Sequence, residues 1–337
     1  MSDNRSENRQ WKLRARPTAM VGREHFELAS APAPSPAAGE ALVEVQYVSL
    51  DPAMRGWLND AKSYVPPVGI GEVMRAIGVG RVLESKDPAL AAGDFVTGMT
   101  GVQAFATGPA KAWTKIDASL LPPPRWLSVV GMPALTAYFG LLDIGAAKAG
   151  ETLVVSAAAG AVGSVTGQIG KILGMRVVGL AGGADKCRYV VDELGFDACI
   201  DYKHDDIRAK LREHAPKGID VYFDNVGGEI LDHALAQLRK KARVVLCGAI
   251  SQYNNEGGVV VGPKNYLSLL VNRARMEGFV VFDFEARYAE AVGAMLRWHK
   301  EGKLKAREDI VDGIDKFPEA LAMLYTGKNF GKLILKI

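Results

Sequence analysis

The chain has 337 residues, 41 Lys and Arg against 38 Asp and Glu for a formal net charge of +3, and is 48% apolar and 23% charged. That length points to two domains, each able to bury its own interior, and so small a net charge gives no electrostatic case for nucleic acid or an anionic membrane as partner. Three cysteines, Cys187, Cys199 and Cys247, are odd in number and lack C-x-x-C spacing, which fits a reducing compartment and speaks against a disulfide framework or a cysteine-built metal site.

The opening "MSDNRSENRQWKLRARP" carries charges of both signs and no apolar run follows it. It reads as a short disordered lead into a first strand near "QWKLRAR", with no secretory signal and the cytoplasm as expected location. From about Gln10 to Leu121 the runs "HFELASAP", "EALVEVQYVSL", "GVGRVLES" and "DFVTGM", separated by Pro, Gly and Asp, predict a mainly antiparallel sheet or distorted barrel. "SAPAPSPAAG" at 30–39 reads as a surface loop, and "LLPPPRW" at 120–126 as a break in all regular structure. A helix is expected in "GMPALTAYFGLLDIG", where Leu135, Tyr138 and Leu142 recur at helical spacing and Gly145 closes it.

From Glu151 short apolar runs alternate strictly with amphipathic ones. "TLVVSA", "RVVGLA", "ACIDY", "DVYFDNV" and "RVVLCGAI" read as strands, with helices "SVTGQIGKILG", "ADKCRYVVDELG", "DDIRAKLREHA" and "GEILDHALAQLRK" between them. Repeated βα units of this length call for an α/β fold, a doubly wound parallel sheet with helices on both faces. A further strand "RMEGFVVFD" and helix "RYAEAVGAMLRWHKEG" end the unit, and the last thirty-odd residues return to short strands and loops that could pack on the first domain. The expected organisation is a mainly-β domain over 1–128, a nucleotide-binding domain over 129–300, and a segment 301–337 that rejoins the first.

Residues 152–170, "TLVVSAAAGAVGSVTGQIG", run for nineteen residues without a charge. Length alone would permit a membrane span. Small side chains dominate, however, and no interfacial Trp or Tyr flanks the run; a linker would be polar and unpatterned. What remains is a turn from strand to helix with the pattern Ala158-x-Gly160-x-x-Gly163. In such a turn the second glycine lets the backbone touch a pyrophosphate and the third lets helix and strand pack closely, while N–H groups at the helix N-terminus hold the negative charge. The rival reading is a tight turn chosen for packing alone.

Which dinucleotide is bound is decided about 20 residues on, where an Asp or Glu would hold a ribose 2′-hydroxyl. Here Leu180, Ala181, Gly182 and Gly183 stand in that place, which with Lys186 nearby favours the 2′-phosphate of NADP. Two considerations oppose this: Asp185 would repel a phosphate if it pointed inward, and Lys186 is equally readable as a solvated helix residue.

Zinc needs clustered Cys, His and carboxylate ligands; the first domain has His25 as its one histidine and no cysteine, and His204, His214, His233 and His299 fall in surface helices or their edges, so no metal is expected. No G-x-S-x-G elbow is present either. The chemistry left is hydride transfer by the cofactor. Hydride added to the β-carbon of an enone makes an enolate, which needs hydrogen-bond donors. Tyr253 in "CGAISQYN", just past the C-terminal end of a sheet strand, is placed to be one, and is equally readable as an ordinary loop tyrosine.

Taken together, "SLDPAMRGWL", "GMPALTAYFGLL", "SAAAGAVGSVTGQIGK", "FDNVGGEILD", "CGAISQYN" and "GKNFGKLIL" resemble the zinc-independent medium-chain dehydrogenase/reductases over almost the whole chain. The resemblance is narrowest to the group of prostaglandin reductase, leukotriene hydroxydehydrogenase, alkenal double-bond reductase and bacterial curcumin reductase. It implies a GroES-like substrate domain joined to a Rossmann domain, NADP(H) as cofactor bound between them, and reduction of the C=C bond of α,β-unsaturated aldehydes and ketones. It implies that Gly160, Ala161, Val162 and Gly163 hold the pyrophosphate and that Lys186 and Tyr202 hold the 2′-phosphate end. Asn225, the run Cys247, Gly248, Ala249, Ile250 and Ser251, then Phe279, Val280, Val281 and Asn329 are implied cofactor contacts, with Phe279 to Val281 beside the nicotinamide. Tyr253 is the implied catalytic tyrosine, while Tyr47, Asp51 and Arg55 line or support the substrate cleft. A small-molecule enone or enal partner and a homodimer complete the expectation. Human-type members carry an aromatic after "DP", where this chain has Ala53, so the likeness speaks to the reaction more than to the substrate. A quinone reductase, or a noncatalytic NADPH sensor, is the alternative.

Overall fold

The computed structural model describes residues 7–256 and 259–337; the expected polar lead falls largely outside them, at residues 1–6. In chain order the strands begin with β1 Glu7–Leu13, β2 Phe26–Pro32, β3 Glu40–Ser49, β4 Ile77–Ser85, β5 Phe95–Met99, β6 Phe105–Pro109 and β7 Thr114–Ile116. After α1 Met132–Phe139 come β8 Thr152–Val155, α2 Ala161–Ile172, β9 Arg176–Ala181, α3 Ala184–Arg188, β10 Ala198–Asp201, α4 Ile207–His214, β11 Ile219–Asp224, α5 Gly228–Leu235 and β12 Leu238–Leu246. The chain closes with α6 Leu267–Asn272, β13 Arg275–Gly278, α7 Tyr288–Lys300, β14 Glu308–Asp312, α8 Phe317–Thr326 and β15 Lys332–Lys336. It divides into two compact units, Met1–Leu127 with Glu308–Ile337, and Ser128–Arg307.

The first unit is the mainly-β, GroES-like one. Its larger sheet runs β14-β15-β3-β4-β5-β7, with β6 also on β3 and β1 and β2 forming a separate hairpin pair. β3 alternates half-buried and buried residues from Glu40 to Gln46, the period-2 pattern of a strand with one face on a core, and loses the alternation where its register on β4 shifts between Val45 and Tyr47. The C-terminal strand β15 lies inside this sheet, antiparallel to β3 and parallel to β14. The adjoining α8 adds Phe317, set edge-on to Phe26 with ring centroids 5.1 Å apart, and Trp11 Nε1 donates to Ile314 O at 2.7 Å. Burial of aromatic and aliphatic side chains of this kind stabilises by about 1.5–3 kcal/mol each.

The second unit is the Rossmann one, a parallel sheet in the order β10-β9-β8-β11-β12-β13. Counted along the unit this is 3-2-1-4-5-6, in which the winding reverses between β8 and β11. Every residue of β8 and β11 is buried, because helices cover both faces, and their sequences are correspondingly near-continuous apolar runs. On α2, a Cβ at Gly167 would fall 1.8 Å from the Phe196 ring, so the helix lies on its neighbours at a distance that only a bare backbone permits. Pro123–Ile144 is apolar and long enough to cross a membrane by composition, and 67% of its most apolar window is buried inside the fold.

Several expectations need correction, among them the helix read through Lys240, since α5 ends at Leu235 and β12 begins at Leu238. "RMEGFVVFD" is a strand only over Arg275–Gly278, since pairing with β12 ends at Leu246 and Gly278; the chain then turns into a 3-10 helix at Val281–Arg287. "LLPPPRW" is not irregular throughout, because Pro123–Leu127 form a 3-10 turn, which proline tolerates at its start. The helix expected through Ile144 is α-helical only to Phe139 and widens to a π-turn over Gly140–Ile144, closed by Gly145 N–H on Gly140 O at 2.8 Å. The α8 helix was missed in what reads as loops and short strands, its proline at the first turn masking a helix start.

Candidate active site

The glycine-rich turn sits where the winding of the sheet reverses. Gly160 is the N-cap of α2, with extended backbone (φ −85°, ψ 174°), and has no side chain to spend on capping the first turn. The first-turn N–H groups of Ala161, Val162 and Gly163 lack intrahelical acceptors by helix geometry. A Cβ on Gly163 would lie 2.3 Å from Ala157 O, 2.9 Å from Ala157 C and 3.0 Å from Ala158 Cα, so the helix start and the preceding loop touch through backbone alone. At Gly160 the nearest atom to such a Cβ is Ala157 O at 3.1 Å. The two glycines thus differ: the second is needed for packing, the first is nearly unobstructed by the protein. Bare backbone, donors without helical acceptors and the dipole of a twelve-residue helix fit a dinucleotide pyrophosphate.

After β9 the chain turns at Gly182 and Gly183, the latter at φ +106°. A Cβ on Gly182 would lie 2.6 Å from the Tyr202 hydroxyl and 3.0 Å from Lys203 Cε, so an acidic side chain there is replaced by a tyrosine hydroxyl and a lysine stem. Lys203 was not singled out from sequence; the only signal was its adjacency to Tyr202. Asp201 fixes the corner: its Oδ1 accepts from Gly183 N (2.8 Å) and Lys203 N (3.1 Å), and its Oδ2 lies 2.8 Å from His204 Nδ1. Burial pushes its carboxyl up, but the hydrogen bonds of His204, Gly183 and Lys203 outweigh this and hold it below the usual value. Burial, then the Asp201 charge, raises Tyr202 above the usual phenol value, keeping it a neutral donor. Lys186 is half-buried on α3, and Asp185 points away, 84% exposed and paired with Arg188.

A third loop follows β11. Asn225 Nδ2 donates to Ser156 O at 2.8 Å and its N–H to Ser156 Oγ at 2.8 Å, tying the end of β11 to the end of β8. The organiser is Asp224, fully buried, whose Oδ1 accepts from Tyr222 OH, Val226 N and Gly227 N at 3.0 Å each and from Ser156 Oγ at 3.1 Å. Burial raises its carboxyl above the ordinary range despite those bonds. Its backbone O also accepts from Cys247 N (2.9 Å) and Gly248 N (3.1 Å), so the loop after β12 hangs from the same residue. Asp224 and Ser156 were also missed: their residue types were visible, their convergence across two strands was not. Ile250 N donates to Asn225 O at 3.2 Å and Ser251 Oγ to Val226 O at 2.6 Å, and Ser251 closes this loop on the β11 loop. The Tyr253 hydroxyl turns back to accept from Ala249 N at 3.1 Å.

Phe279 follows β13 and its Cζ lies 2.6 Å from where a Cβ on Gly140 would be, facing the widened turn after α1. Val280 caps the next 3-10 helix, and Val281 O accepts from Tyr288 OH at 3.1 Å. In the other unit, Tyr47 on β3 packs half-buried against Val79, Ile116, Leu127 and Ile334. Asp51 accepts from Lys332 Nζ at 2.8 Å and from Ser49 Oγ, and Lys332 Nζ also donates to Leu50 O at 2.8 Å. Arg55 is buried, its guanidinium donating to Pro17 O (3.0 Å), to Ala19 O (3.1 Å) and to Asn59 Oδ1 (2.6 Å). Burial draws it below the usual guanidinium value. Asn329 Nδ2 donates to Gly331 O at 3.2 Å within its own turn. Asp51 and Arg55 are therefore placed to hold loops.

Residues 9–116 match the family described as an N-terminal domain of oxidoreductase, and residues 161–297 the family described as zinc-binding dehydrogenase. Among the described residues, no group of three or more His, Cys, Asp or Glu is arranged to hold a metal ion. The chain is 42% identical to the NADPH-dependent curcumin reductase of Escherichia coli (strain K12), spanning 100% of this chain and 99% of that protein. It is 39% identical to a 2-alkenal reductase (NADP(+)-dependent) of Nicotiana tabacum, over 88% and 87% of the two chains. The solved structure of CurA in complex with NADPH from Vibrio vulnificus superposes with a TM-score of 0.92 at 44% identity, covering 97% of this chain and 98% of that one. Likeness at this level over the full length, with the 3-2-1-4-5-6 sheet and the bare glycine turn, makes the chain a member of the zinc-independent medium-chain dehydrogenase/reductase family, in its curcumin and alkenal reductase group.

Proposed function

We propose that the chain is a zinc-independent, NADPH-dependent reductase of the C=C bond of α,β-unsaturated ketones and aldehydes. The observation that carries the proposal is the Tyr253 hydroxyl, folded back 3.1 Å from Ala249 N beyond the C-terminal end of β12. A hydroxyl that accepts a backbone N–H is strengthened as a donor, and a donor at the carbonyl end of a sheet is what an enolate oxygen requires. NADPH, when bound, supplies the hydride for the β-carbon. Gly160 to Gly163 would hold its pyrophosphate, Lys186 and Tyr202 its 2′-phosphate end, and Asn225, Cys247 to Ser251, Phe279 to Val281 and Asn329 the rest. Tyr47, Asp51 and Arg55 support the substrate side. The α-carbon takes its proton from solvent, since the buried carboxyl of Asp224 is enclosed and committed to four donors. The relatives named for curcumin and 2-alkenal reduction support the substrate class.

The protein works in the cytoplasm as a homodimer. Support for the dimer comes from α6, which packs against β12, and its approach, where Tyr266, Leu267, Leu270 and Val271 are 58–74% exposed, an apolar surface of the kind a second copy covers. The test is a turnover panel of enals, enones and quinones with NADPH and NADH. Tyr253→Phe is expected to lower kcat by about 10²-fold on every enone, the usual effect of removing one oxyanion donor. Preference for quinones, binding without turnover of anything in the panel, or full activity of Tyr253→Phe would each overturn the reading.

A further inference from the structure

Two partly exposed thiols meet at the end of β9. Cys187 lies on α3 and Cys199 on β10. Cys199 is in register with Gly179 of β9, so the two positions share one face of the sheet. A Cβ on Gly179 would meet Val190 Cγ1 at 3.1 Å; that face is covered by the helical segment carrying Val190, and Cys187 lies one turn before Val190 on the same side. α3 packs against β10 over that face, which sets the Cys187 thiol beside the Cys199 thiol, within reach of a hydrogen bond, with the Ala181 backbone alongside both. Each of the three segments that form the cofactor's 2′-phosphate corner adjoins this pair: Lys186 precedes Cys187, Tyr202 and Lys203 follow shortly after Cys199, and Gly182 follows Ala181.

We propose that Cys187 and Cys199 form a peroxide-oxidisable dithiol whose closure to a disulfide weakens NADP(H) binding at Lys186 and Tyr202; the second half rests on the cofactor assignment above. The Cys187 thiolate attacks one oxygen of hydrogen peroxide, the O–O bond breaks, and the leaving hydroxide takes a proton to become water, leaving a sulfenic acid. Cys199 then attacks the Cys187 sulfur, the S–O bond breaks, and a second water leaves with the Cys199 proton. Two thiols lose two electrons and two protons, and the peroxide is reduced to two waters. The roles follow from the surroundings. The hydrogen bond from Cys199 draws Cys187 below the usual thiol value against its burial and the charges of Asp201 and Asp205, while the same bond and burial push Cys199 up. Cys247, pushed up to about 12 by burial and then Asp224, is a poor competitor. Closing the bond brings the sulfurs to about 2.05 Å. β10 is fixed by its pairing with β9, so the short helix α3, with Lys186 on it, makes the adjustment.

The experiment treats the full-length protein with a small excess of hydrogen peroxide, blocks remaining thiols by alkylation, maps peptides by mass spectrometry, and titrates NADPH by protein fluorescence. A Cys187–Cys199 linked peptide, an alkylated Cys247, and NADPH binding weakened about tenfold and restored by dithiothreitol are expected, with no peroxide effect in Cys199→Ser. Absence of the linked peptide, or equal loss of affinity in Cys199→Ser, overturns the dithiol. A disulfide that leaves NADPH affinity unchanged overturns the coupling. Reduced protein that binds no NADPH overturns the cofactor assignment and the coupling with it, while the peptide map still decides the dithiol.

Discussion

Alanine at Gly160 and at Gly163 should separate packing from ligand binding within one turn. A Cβ on Gly163 meets only backbone, with Ala157 O at 2.3 Å against an ordinary contact of 3.4 Å or more, so α2 and the loop must part by roughly 1 Å. Overpacking of that kind costs about 1–3 kcal/mol, offset by about 0.5–1 kcal/mol from replacing glycine within a helix. The net loss of about 1–2 kcal/mol lowers melting by roughly 2–8 °C. Gly160 has φ −85° and a nearest neighbour at 3.1 Å, which alanine satisfies with a shift of a few tenths of an ångström. Its new methyl, however, occupies the surface on which a pyrophosphate lies, and NADPH affinity should fall by about 10-fold or more, corresponding to at least 1.4 kcal/mol. Thermal unfolding and NADPH fluorescence titration of both variants provide the comparison. Gly160→Ala binding NADPH as tightly as the parent would mean that the turn is built for packing alone. Gly163→Ala melting with the parent would refute the clash.

Lys186→Ala should weaken NADPH about tenfold and leave NADH unchanged, since one charge-assisted bond to the 2′-phosphate is lost; equal losses for both nucleotides in paired titrations would remove the lysine from that role. Arg55→Lys should destabilise by about 2–4 kcal/mol in chemical unfolding, because an ammonium cannot reproduce the fork that holds Pro17 O, Ala19 O and Asn59. Unchanged stability would free Arg55 for another role. Leu270→Asp, at a position 74% exposed, should yield monomer by light scattering with little change in melting; a persisting dimer would place the interface elsewhere.

Much of the second unit was legible because parallel strands buried on both faces write themselves as apolar runs, as β8, β9 and β11 do; β12 was legible only in its second half, since its start at Leu238 lies in the charged stretch "LRKKAR", which reads as the end of a helix. The glycine turn was legible for a related reason: its need for bare backbone is local and fixes residue type at fixed spacing. Tyr253 was legible only as a position past a strand, and the return of its hydroxyl to Ala249 depends on the path of the loop. Lys203 and Ser156 were not legible, because their partners belong to other segments, Gly182 to the turn after β9 and Asp224 to β11. The strand written into "FVVFD" shows the opposite failure. Its β-branched and aromatic residues have strand propensity, but the register with β12 runs out at Gly278, and tertiary pairing decides.

Asp224 shows how the scaffold and the chemistry divide between residues. A buried carboxyl whose ionised form is disfavoured by burial looks, by itself, like a catalytic acid. Its surroundings argue otherwise. Oδ1 takes donors from Ser156, Tyr222, Val226 and Gly227, and the backbone O takes Cys247 and Gly248, so the loops after β8, β11 and β12 converge on one residue. An apolar residue in its place would strand four buried donors, at about 1–3 kcal/mol each. No proton at this carboxyl can reach a substrate, because it is fully buried beneath the loops that it ties together. The desolvation cost is borne where three loops must keep fixed positions; in the function proposed above, the donor that meets the substrate is instead Tyr253, on the loop after β12.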